Sequence, residues 1–372
     1  MTIEQIKNLA KVMLAFTQGK EIQTRFLGVQ DENAWKDEPS PSFDFYRYDY
    51  RVKENTESEY RPFENIKECW EEMLKHQPFG WIIDVEPVNV IKSLSKNLLA
   101  DQTDLYVFSD AAKTENGLER VNAVREYIRK TDWRSHFKKV TVVEAETNKG
   151  LAKSIIGGVT KILEEYGKVI VVEDDLVLSP YFLQYMNGAL DYYKDDQKIW
   201  SISGYSFPMK SLKNYDHDVF YSYRGCSWGW ATWLDRWVKT DWEVKDYPKL
   251  MSDKQWQKRF NRGGDDLTGM LGLQMEGKIN SWAIRWVFAQ SNLDMYTVYP
   301  KNSYILNDGC DGSGTHVGDT TEYQTSIEEG NAVCRFENLE IDKKIAREFW
   351  YKYSDTLDKK IKRNLKKIFR KN

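Results

Sequence analysis

The chain has 372 residues, a net charge of −3 and 30% charged side chains. This length allows a substantial hydrophobic core plus an accessory module, and the near-neutral charge excludes a global field that attracts nucleic acid or a membrane. The four cysteines are far apart in the sequence, which argues against a disulfide scaffold or a zinc ribbon and indicates a reducing compartment. No apolar run approaches the roughly 20 residues that cross a bilayer, and no signal-peptide pattern opens the chain, so we expect a cytoplasmic protein.

Residues 1–80 are predicted to form a small α+β module. IEQIKNLAKVMLAF has its apolar residues on one helical face, and IKECWEEMLKHQPFGW is typical of a short helix that ends at Pro78. EIQTRFLGV and FDFYRYDYRV are strand candidates. No cluster of catalytic residue types stands out in this module.

From Trp81 onward, predicted strands alternate with predicted helices. The strands are TDLYVFSD, KKVTVVEAE and KVIVVEDD, and the helices between them are LERVNAVREYIRK and NKGLAKSIIGGVTKILEEYG. This alternation predicts an α/β domain with a largely parallel sheet and right-handed crossovers. Ligands of such sheets bind beyond the carboxyl ends of the strands. Asp110, Asn148 and the Glu173–Asp175 group stand at such ends, so we expect them to share one site.

Three carboxylates, Glu173, Asp174 and Asp175, directly follow the apolar strand KVIVV. Carboxylate oxygens bind hard divalent cations, and Mg²⁺ or Mn²⁺ would relieve their mutual repulsion while bridging to a diphosphate. The alternative is a solvated acidic turn with an aspartate as helix cap. The apolar strand and the neighbouring polar strand ends favour the metal site.

Asp110 and Asn148 each have two open interpretations. Asp110 could accept hydrogen bonds from a base or a ribose, or it could be an ordinary turn residue. Asn148 precedes a helix whose N-terminal N–H groups could bind an anion, or it could be the N-cap of that helix.

A second acidic pair, Asp265 and Asp266, lies in NRGGDDLTGML. A carboxylate held on this loop could act as general base on a hydroxyl nucleophile. The local pattern slightly favours an N-cap pair that opens the helix LTGMLGLQMEG.

Aromatic residues make up 14% of the chain, and RGCSWGWATW is dense in tryptophan and glycine. This segment is predicted to form a rigid aromatic platform, in which core packing of two of its three tryptophans is also expected. The Gly-rich segment DGCDGSGTHVG is a candidate closing loop. His316 within it is either a ligand of metal or phosphate or a solvated loop histidine.

Residues 320–372 are predicted to form a C-terminal tail that ends in a basic helix, LDKKIKRNLKKIFRKN. Its cations flank an apolar stripe, so the helix could lie on the inner, anionic face of a membrane as a peripheral contact. A solvated terminal helix is an equally good interpretation.

In this order, the motifs resemble a bacterial glycosyltransferase of the GT-A type. The resemblance is to the sugar transferase group that is distantly similar to the N-acetylglucosaminyltransferase initiating complex N-glycans. It covers residues 81–319 and implies a GT-A-like, Rossmann-type mixed sheet flanked by helices. The segments that carry it are DLYVFSDAAK, NKGLAKSIIGGV, KVIVVEDDLVLSPYFLQYMNGAL, SISGYSFPM, RGCSWGWATWLDRW, GKINSWAIRW and NDGCDGSGTH.

The resemblance implies an inverting sugar transfer from a nucleotide-sugar, expected to be a UDP-sugar, to a glycan or polysaccharide hydroxyl, with Mn²⁺ or Mg²⁺ as cofactor. It makes Asp175 the metal ligand and Asp266 the catalytic base, with Asp265 as its neighbour or stand-in. The residues expected to contact the donor are Asp110, Asn148, Glu173, Asp174 and His316. Those expected to contact substrate are Trp228, Trp230, Trp282 and Arg285.

One region departs from the family pattern. Asp84 and Glu86 stand where the family has neutral or basic residues after its first strand, and residues 1–80 resemble a small domain of phage-associated proteins. The alternative is therefore a catalytically impaired fusion that acts as a carbohydrate-binding or phage-associated module. Nucleotidyl transfer ranks lower, because no Gly-rich basic loop for a triphosphate follows Asp84.

Overall fold

The computed structural model describes residues 22–26, 36–38, 48–52, 87–307, 325–329 and 333–354. The chain divides into two compact units, Met1–Ile83 and Asp84–Asn372.

The first unit contains a three-stranded antiparallel sheet in the order β2-β1-β3. The strands are β1 (Ile22–Phe26), β2 (Lys36–Glu38) and β3 (Tyr48–Val52). The two strands predicted in this module are thereby confirmed. The two helices predicted beside them lie outside the described residues.

The second unit has the strands and helices of an α/β protein. Its strands are β4 (Asp104–Ser109), β5 (Lys139–Glu144), β6 (Lys168–Val171), β7 (Leu176–Leu178), β8 (Ile199–Ser203), β9 (Val219–Ser222), β10 (Trp230–Trp233), β11 (Tyr296–Pro300) and β12 (Ile305–Asn307). Its helices are α1 (Pro87–Leu94), α2 (Glu115–Lys130), α3 (Leu151–Tyr166), α4 (Phe182–Tyr193), α5 (Leu234–Trp237), α6 (Tyr247–Ser252), α7 (Lys254–Phe260), α8 (Asp266–Met275), α9 (Trp282–Asn292) and α10 (Lys343–Lys352). The predicted sequence of strands and helices from β4 to β6 is confirmed.

The sheets of this unit are mixed. Strands β4 and β5 are parallel, and the five-stranded sheet β6-β10-β8-β11-β9 contains one parallel pair, β8 with β11. Strand β6 runs antiparallel to β10, so the expectation of a largely parallel sheet is wrong at this strand. The reason is that the Trp-rich segment, expected to be a platform, supplies β10 as its neighbour.

The turn from α3 into β6 is fixed by Gly167. This residue has φ 74°, in the left-handed region that glycine adopts without steric cost. Its N–H donates to the carbonyl of Leu163 at 2.8 Å, which closes the helix in the usual C-terminal manner. Strand β6 begins at the next residue, so this turn sets where the acidic group after β6 emerges.

Tryptophan is used mainly as core material in the second unit. Rings from β8, β10 and α9 pack together, with centroids 4.1 Å apart for Trp200 and Trp286 and 4.9 Å apart for Trp230 and Trp282. Contacts of this kind between large rings stabilise a core beyond the area that they bury. A cluster of tryptophans therefore joins the sheet to the helix that covers it.

In the described part of the chain, each helix is too short or too polar to cross a membrane.

Candidate functional site

The second unit has a cavity of about 2100 Å³ that begins at the carboxyl ends of β4 and β6 and continues between these two strands. Typical small-molecule sites occupy roughly 300–1,000 Å³, so the volume of this cavity is more than a ligand of nucleotide-sugar size requires. Polar side chains line one part of the cavity, and apolar side chains of β4, β6 and α3 line the rest. The predicted site residues that line it are Asp110, Asn148, Glu173, Asp174, Asp175, Trp228, Asp266 and Trp282.

Asp110 joins the end of β4 to the start of α3. Its carboxylate accepts hydrogen bonds at 2.9 Å from the backbone N–H groups of Ala111, Lys149 and Gly150. Burial alone would raise the pKa of Asp110, but these backbone hydrogen bonds lower it below its usual value. The N–H groups before α3, which were candidates for binding an external anion, thus donate to the carboxylate of Asp110.

Asn148 lies in direct contact with Asp110. Its Nδ2 donates to Oδ2 of Asp110 at 3.2 Å and to the carbonyl of Ala111 at 2.6 Å. Arg125 of α2 donates to the carbonyls of Asp110 and Ala145, at 3.1 and 2.9 Å, and so ties the ends of β4 and β5 together. The polar end of β4 is therefore a braced structure, not a loose turn.

The acidic group follows β6 in a turn. Glu173 and Asp175 are half-buried and Asp174 is exposed. Burial and the negative charges of Asp175 and Asp174 raise the pKa of Glu173 to about 8. Glu173 is therefore largely protonated at neutral pH, and a cation bound beside the group would favour its ionised form.

Asp175 is held in place by the pairing of β7 with β12. The register places Asn307 opposite Leu176, next to the acidic group. Nδ2 of Asn307 donates to Oδ2 of Asp175 at 3.3 Å. The second strand of this small sheet therefore orients one oxygen of the candidate metal ligand.

Within the described residues, no three His, Cys, Asp or Glu side chains are grouped to hold an ion by themselves. Mg²⁺ and ions like it usually keep several water ligands and use one or two carboxylates together with substrate phosphates. The half-buried Asp175 supplies an oxygen ligand of this kind, beside the carboxyl groups of Glu173 and Asp174. The residues present fit a divalent ion that is shared with a phosphate-containing ligand.

Asp266 opens α8 on the cavity wall and is paired with an arginine. Nη1 and Nη2 of Arg224 donate to Oδ1 and Oδ2 of Asp266 at 2.7 and 2.9 Å. The adjacent Asp265 is exposed and does not line the cavity. Of the two acidic residues that could serve as a base, Asp266 is the one that faces the cavity.

Two glycines make room for this pair. Gly264 has φ 144°, and a Cβ built there would lie 2.5 Å from Oδ1 of Asp266 and 2.9 Å from Nη1 of Arg224. A Cβ at Gly263 would lie 2.9 Å from the Cβ of Arg224. The Gly-Gly of NRGGDD is therefore a steric requirement of the arginine–carboxylate contact.

The aromatic residues proposed to bind substrate divide into two groups. Trp228 is half-buried and packs edge-on against Tyr205, with centroids 4.8 Å apart. Trp282 touches the cavity but is only 2% exposed, and Trp230 is 1% exposed and lies in the tryptophan cluster. A ring so deeply buried has no face for a sugar in this conformation, which leaves Trp228 as the platform candidate.

Arg285 lies away from the cavity wall. Its Nη1 donates to the carbonyl of Trp242 and its Nε to that of Ser281, both at 3.1 Å, so it braces α9. His316, Asp84, Glu86 and the basic C-terminal helix lie outside the described residues.

The sequence interpretation missed Arg224 and Asn307. Arg224 opens the Trp-rich segment, where the rings attracted attention, and nothing near it in the sequence identifies Asp266 as its partner. Asn307 carried a weak signal, since it is a polar residue at the end of an apolar strand.

No protein-family model matches the chain, and no curated protein matches it significantly. The class that the fold and the site define is an α/β protein with an acidic cavity at its strand ends.

Proposed function

We propose that this protein is a metal-dependent inverting glycosyltransferase, which moves a sugar from a nucleotide-sugar, expected to be a UDP-sugar, to a hydroxyl of a glycan or polysaccharide. The observation that supports the proposal most is that one cavity is lined by the Glu173–Asp175 group, by Asp110 and by Asp266. These residues belong to three separate segments, and each has a distinct role in such a transfer.

The donor would bind at the ends of β4 and β6. Asp175 would hold Mn²⁺ or Mg²⁺ through a carboxylate oxygen, and the bound ion would stabilise the charge of the departing diphosphate. Glu173 and Asp174 would lie against the ribose and the donor sugar, and Asp110 against the base. Four donors already occupy the lone pairs of the Asp110 carboxylate, so the base would take the place of the Asn148 amide on Oδ2.

The acceptor would approach Asp266. In an inverting transfer, the acceptor hydroxyl oxygen forms a bond to the anomeric carbon as the bond from that carbon to the phosphate oxygen breaks. The hydroxyl proton passes to the Asp266 carboxylate, and the electron pair of the broken bond leaves with the nucleoside diphosphate. Arg224 engages both oxygens of Asp266 from one side, and the remaining lone pairs can accept this proton.

The activity assay is release of UDP from UDP-hexoses and UDP-N-acetylhexosamines with Mn²⁺ present. Asp175→Ala and Asp266→Asn are each expected to lower kcat by about 100-fold or more. Asp195→Ala, at an exposed aspartate just after α4, is the matched control and is expected to keep full activity. Equal rates for the wild type, Asp175→Ala and Asp266→Asn would contradict the proposal. Glycan binding that ignores Mn²⁺ and the Asp266→Asn change would favour a carbohydrate-binding module instead.

A further inference from the structure

Arg224 connects the candidate base to the last helix of the described chain. Its guanidinium contacts Asp266 on one side, and its Cζ lies 3.8 Å from the centroid of the Tyr353 ring. Tyr353 directly follows α10, the last helix of the described chain. Three segments that are far apart in the sequence therefore meet at the guanidinium of Arg224.

We infer that Arg224, stacked on Tyr353, is the positioning residue for the Asp266 base, and that the end of α10 is thereby part of the active site. This inference depends on the glycosyltransferase function proposed above.

The arginine–carboxylate contact fixes an orientation as well as a position. Two parallel N–H···O bonds, at 2.7 and 2.9 Å, hold the planar guanidinium and the planar carboxylate in one relative arrangement. A lysine would offer a single ammonium charge, which cannot make this pair of parallel hydrogen bonds. The carboxylate of Asp266 thus keeps its remaining lone pairs turned in one direction before any substrate binds.

Arg224 is itself firmly held. Its side chain is 12% exposed, and its backbone carbonyl accepts a hydrogen bond from the hydroxyl of Tyr299 at 3.1 Å. Burial alone would lower the pKa of Arg224, but Tyr353 and the Asp266 carboxylate raise it above its usual value, so the side chain stays cationic. A cation over a partly desolvated aromatic face is attracted to that face, which adds to the packing.

The end of α10 makes a second contact with the acidic pair. The backbone N–H of Asp265 donates to Oγ of Ser354 at 3.4 Å, and Ser354 is 2% exposed. The ring of Tyr353 also packs on Phe207 and Phe349, with centroids 5.7 and 5.5 Å away. The tyrosine is therefore anchored in the core and can act as a rigid support for Arg224.

A second arginine offers a matched control. Arg262 stacks on the ring of Tyr223, with its Cζ 4.1 Å from the centroid, and pairs with Asp294. It has the same three residue types as the Arg224 arrangement, with one hydrogen bond to its aspartate instead of two, and it does not line the cavity. A substitution there removes an arginine–tyrosine and an arginine–aspartate contact at a residue that does not line the cavity.

The experiment compares full-length Arg224→Met, Arg224→Lys, Tyr353→Leu and Arg262→Met. UDP release with Mn²⁺ gives kcat and KM, and calorimetric titration with UDP and Mn²⁺ gives nucleotide affinity. Arg224→Met is expected to lower kcat by about 100-fold, because a misplaced catalytic group costs about this factor. The KM for the UDP-sugar and the UDP affinity should stay at wild-type values. Tyr353→Leu and Arg224→Lys should lose part of kcat, and Arg262→Met should lose none.

Recovery of kcat on addition of millimolar guanidinium distinguishes a positioning role of Arg224 from a purely structural one. It should restore part of kcat in Arg224→Met and leave Arg262→Met unchanged. Wild-type kcat in Arg224→Met, or loss of UDP affinity together with kcat and without rescue, would overturn the inference while leaving the transferase function in place. A wild type that neither binds UDP nor releases it from UDP-sugars would instead overturn the proposed function.

Discussion

Replacing Asp110 with asparagine perturbs the junction between the end of β4 and the start of α3. The wild-type carboxylate accepts hydrogen bonds from the N–H groups of Ala111, Lys149 and Gly150, each at 2.9 Å. Asparagine has one side-chain oxygen, and its NH₂ group would face a backbone donor. At least one of these N–H groups therefore loses its acceptor in Asp110→Asn.

The expected cost follows from the number and type of bonds lost. A hydrogen bond to a charged group contributes about 1.5–3 kcal/mol. Asp110 is half-buried, so water replaces part of what is lost. We expect Asp110→Asn to lower the free energy of unfolding by about 1–2 kcal/mol at neutral pH.

The pH dependence has a definite sign. The pKa of Asp110 is lower in the folded protein than in the unfolded chain, so the ionised carboxylate stabilises the fold above the unfolded value of about 4. This stabilisation is lost as the pH falls through the folded pKa. The difference between the wild type and Asp110→Asn should therefore shrink as the pH falls below about 4.

Urea unfolding followed by tryptophan fluorescence measures this difference, because the buried tryptophan cluster reports on the second unit. Asp195→Asn is the control, since it removes the same charge at an exposed position. A difference of the same size at about pH 7 and about pH 3.5, or none at neutral pH, would refute the account of Asp110 as an ionised acceptor of these backbone hydrogen bonds.

Three further predictions concern glycines. Gly264→Ala should lower kcat while leaving UDP affinity unchanged, because its Cβ would lie 2.5 Å from Oδ1 of Asp266; unchanged kinetics would contradict the tight packing of this loop. Gly229→Ala should destabilise the protein by about 2–4 kcal/mol, since its φ is 57° and its Cβ would overlap Cδ1 of Ile305. Gly157→Ala, inside α3 with open space around the new Cβ, should instead stabilise it by up to about 1 kcal/mol. Thermal unfolding separates these two, and a shift of the same sign in both would count against the packing described.

The elements from β4 to β6 were predictable because their patterns are local. Strand β4 is an apolar run that ends in a polar turn, and α3 is an amphipathic stretch closed by Gly167. Such signals depend on neighbouring residues alone, and the sequence therefore located both the acidic group after β6 and the aspartate after β4 at strand ends.

The pairing of β6 was not predictable in the same way. Strand β10 consists of the four residues Trp230–Trp233, and it follows a glycine with φ 57° in a segment dense in large rings. Four residues are too few to establish a period. A tryptophan-rich sequence also does not show which of its rings are buried. In this segment Trp230 belongs to the core, whereas Trp228 touches the cavity.

The candidate base shows the same limit. Asp266 was recognised as one of two acidic residues, but its partners Arg224 and Tyr353 come from distant parts of the chain. Contacts between distant segments are fixed by packing, which no local pattern reports. The double glycine at 263–264 was visible in the sequence, but the reason for it requires the contact geometry.

Calorimetric titration of the full chain with UDP, with and without Mn²⁺, tests the central claim most directly. Binding that requires Mn²⁺, and that Asp175→Ala weakens at least about tenfold while Asp195→Ala leaves it unchanged, is the predicted result. Absence of UDP binding at millimolar concentration with Mn²⁺ present, or binding that is the same with and without the ion, would contradict it.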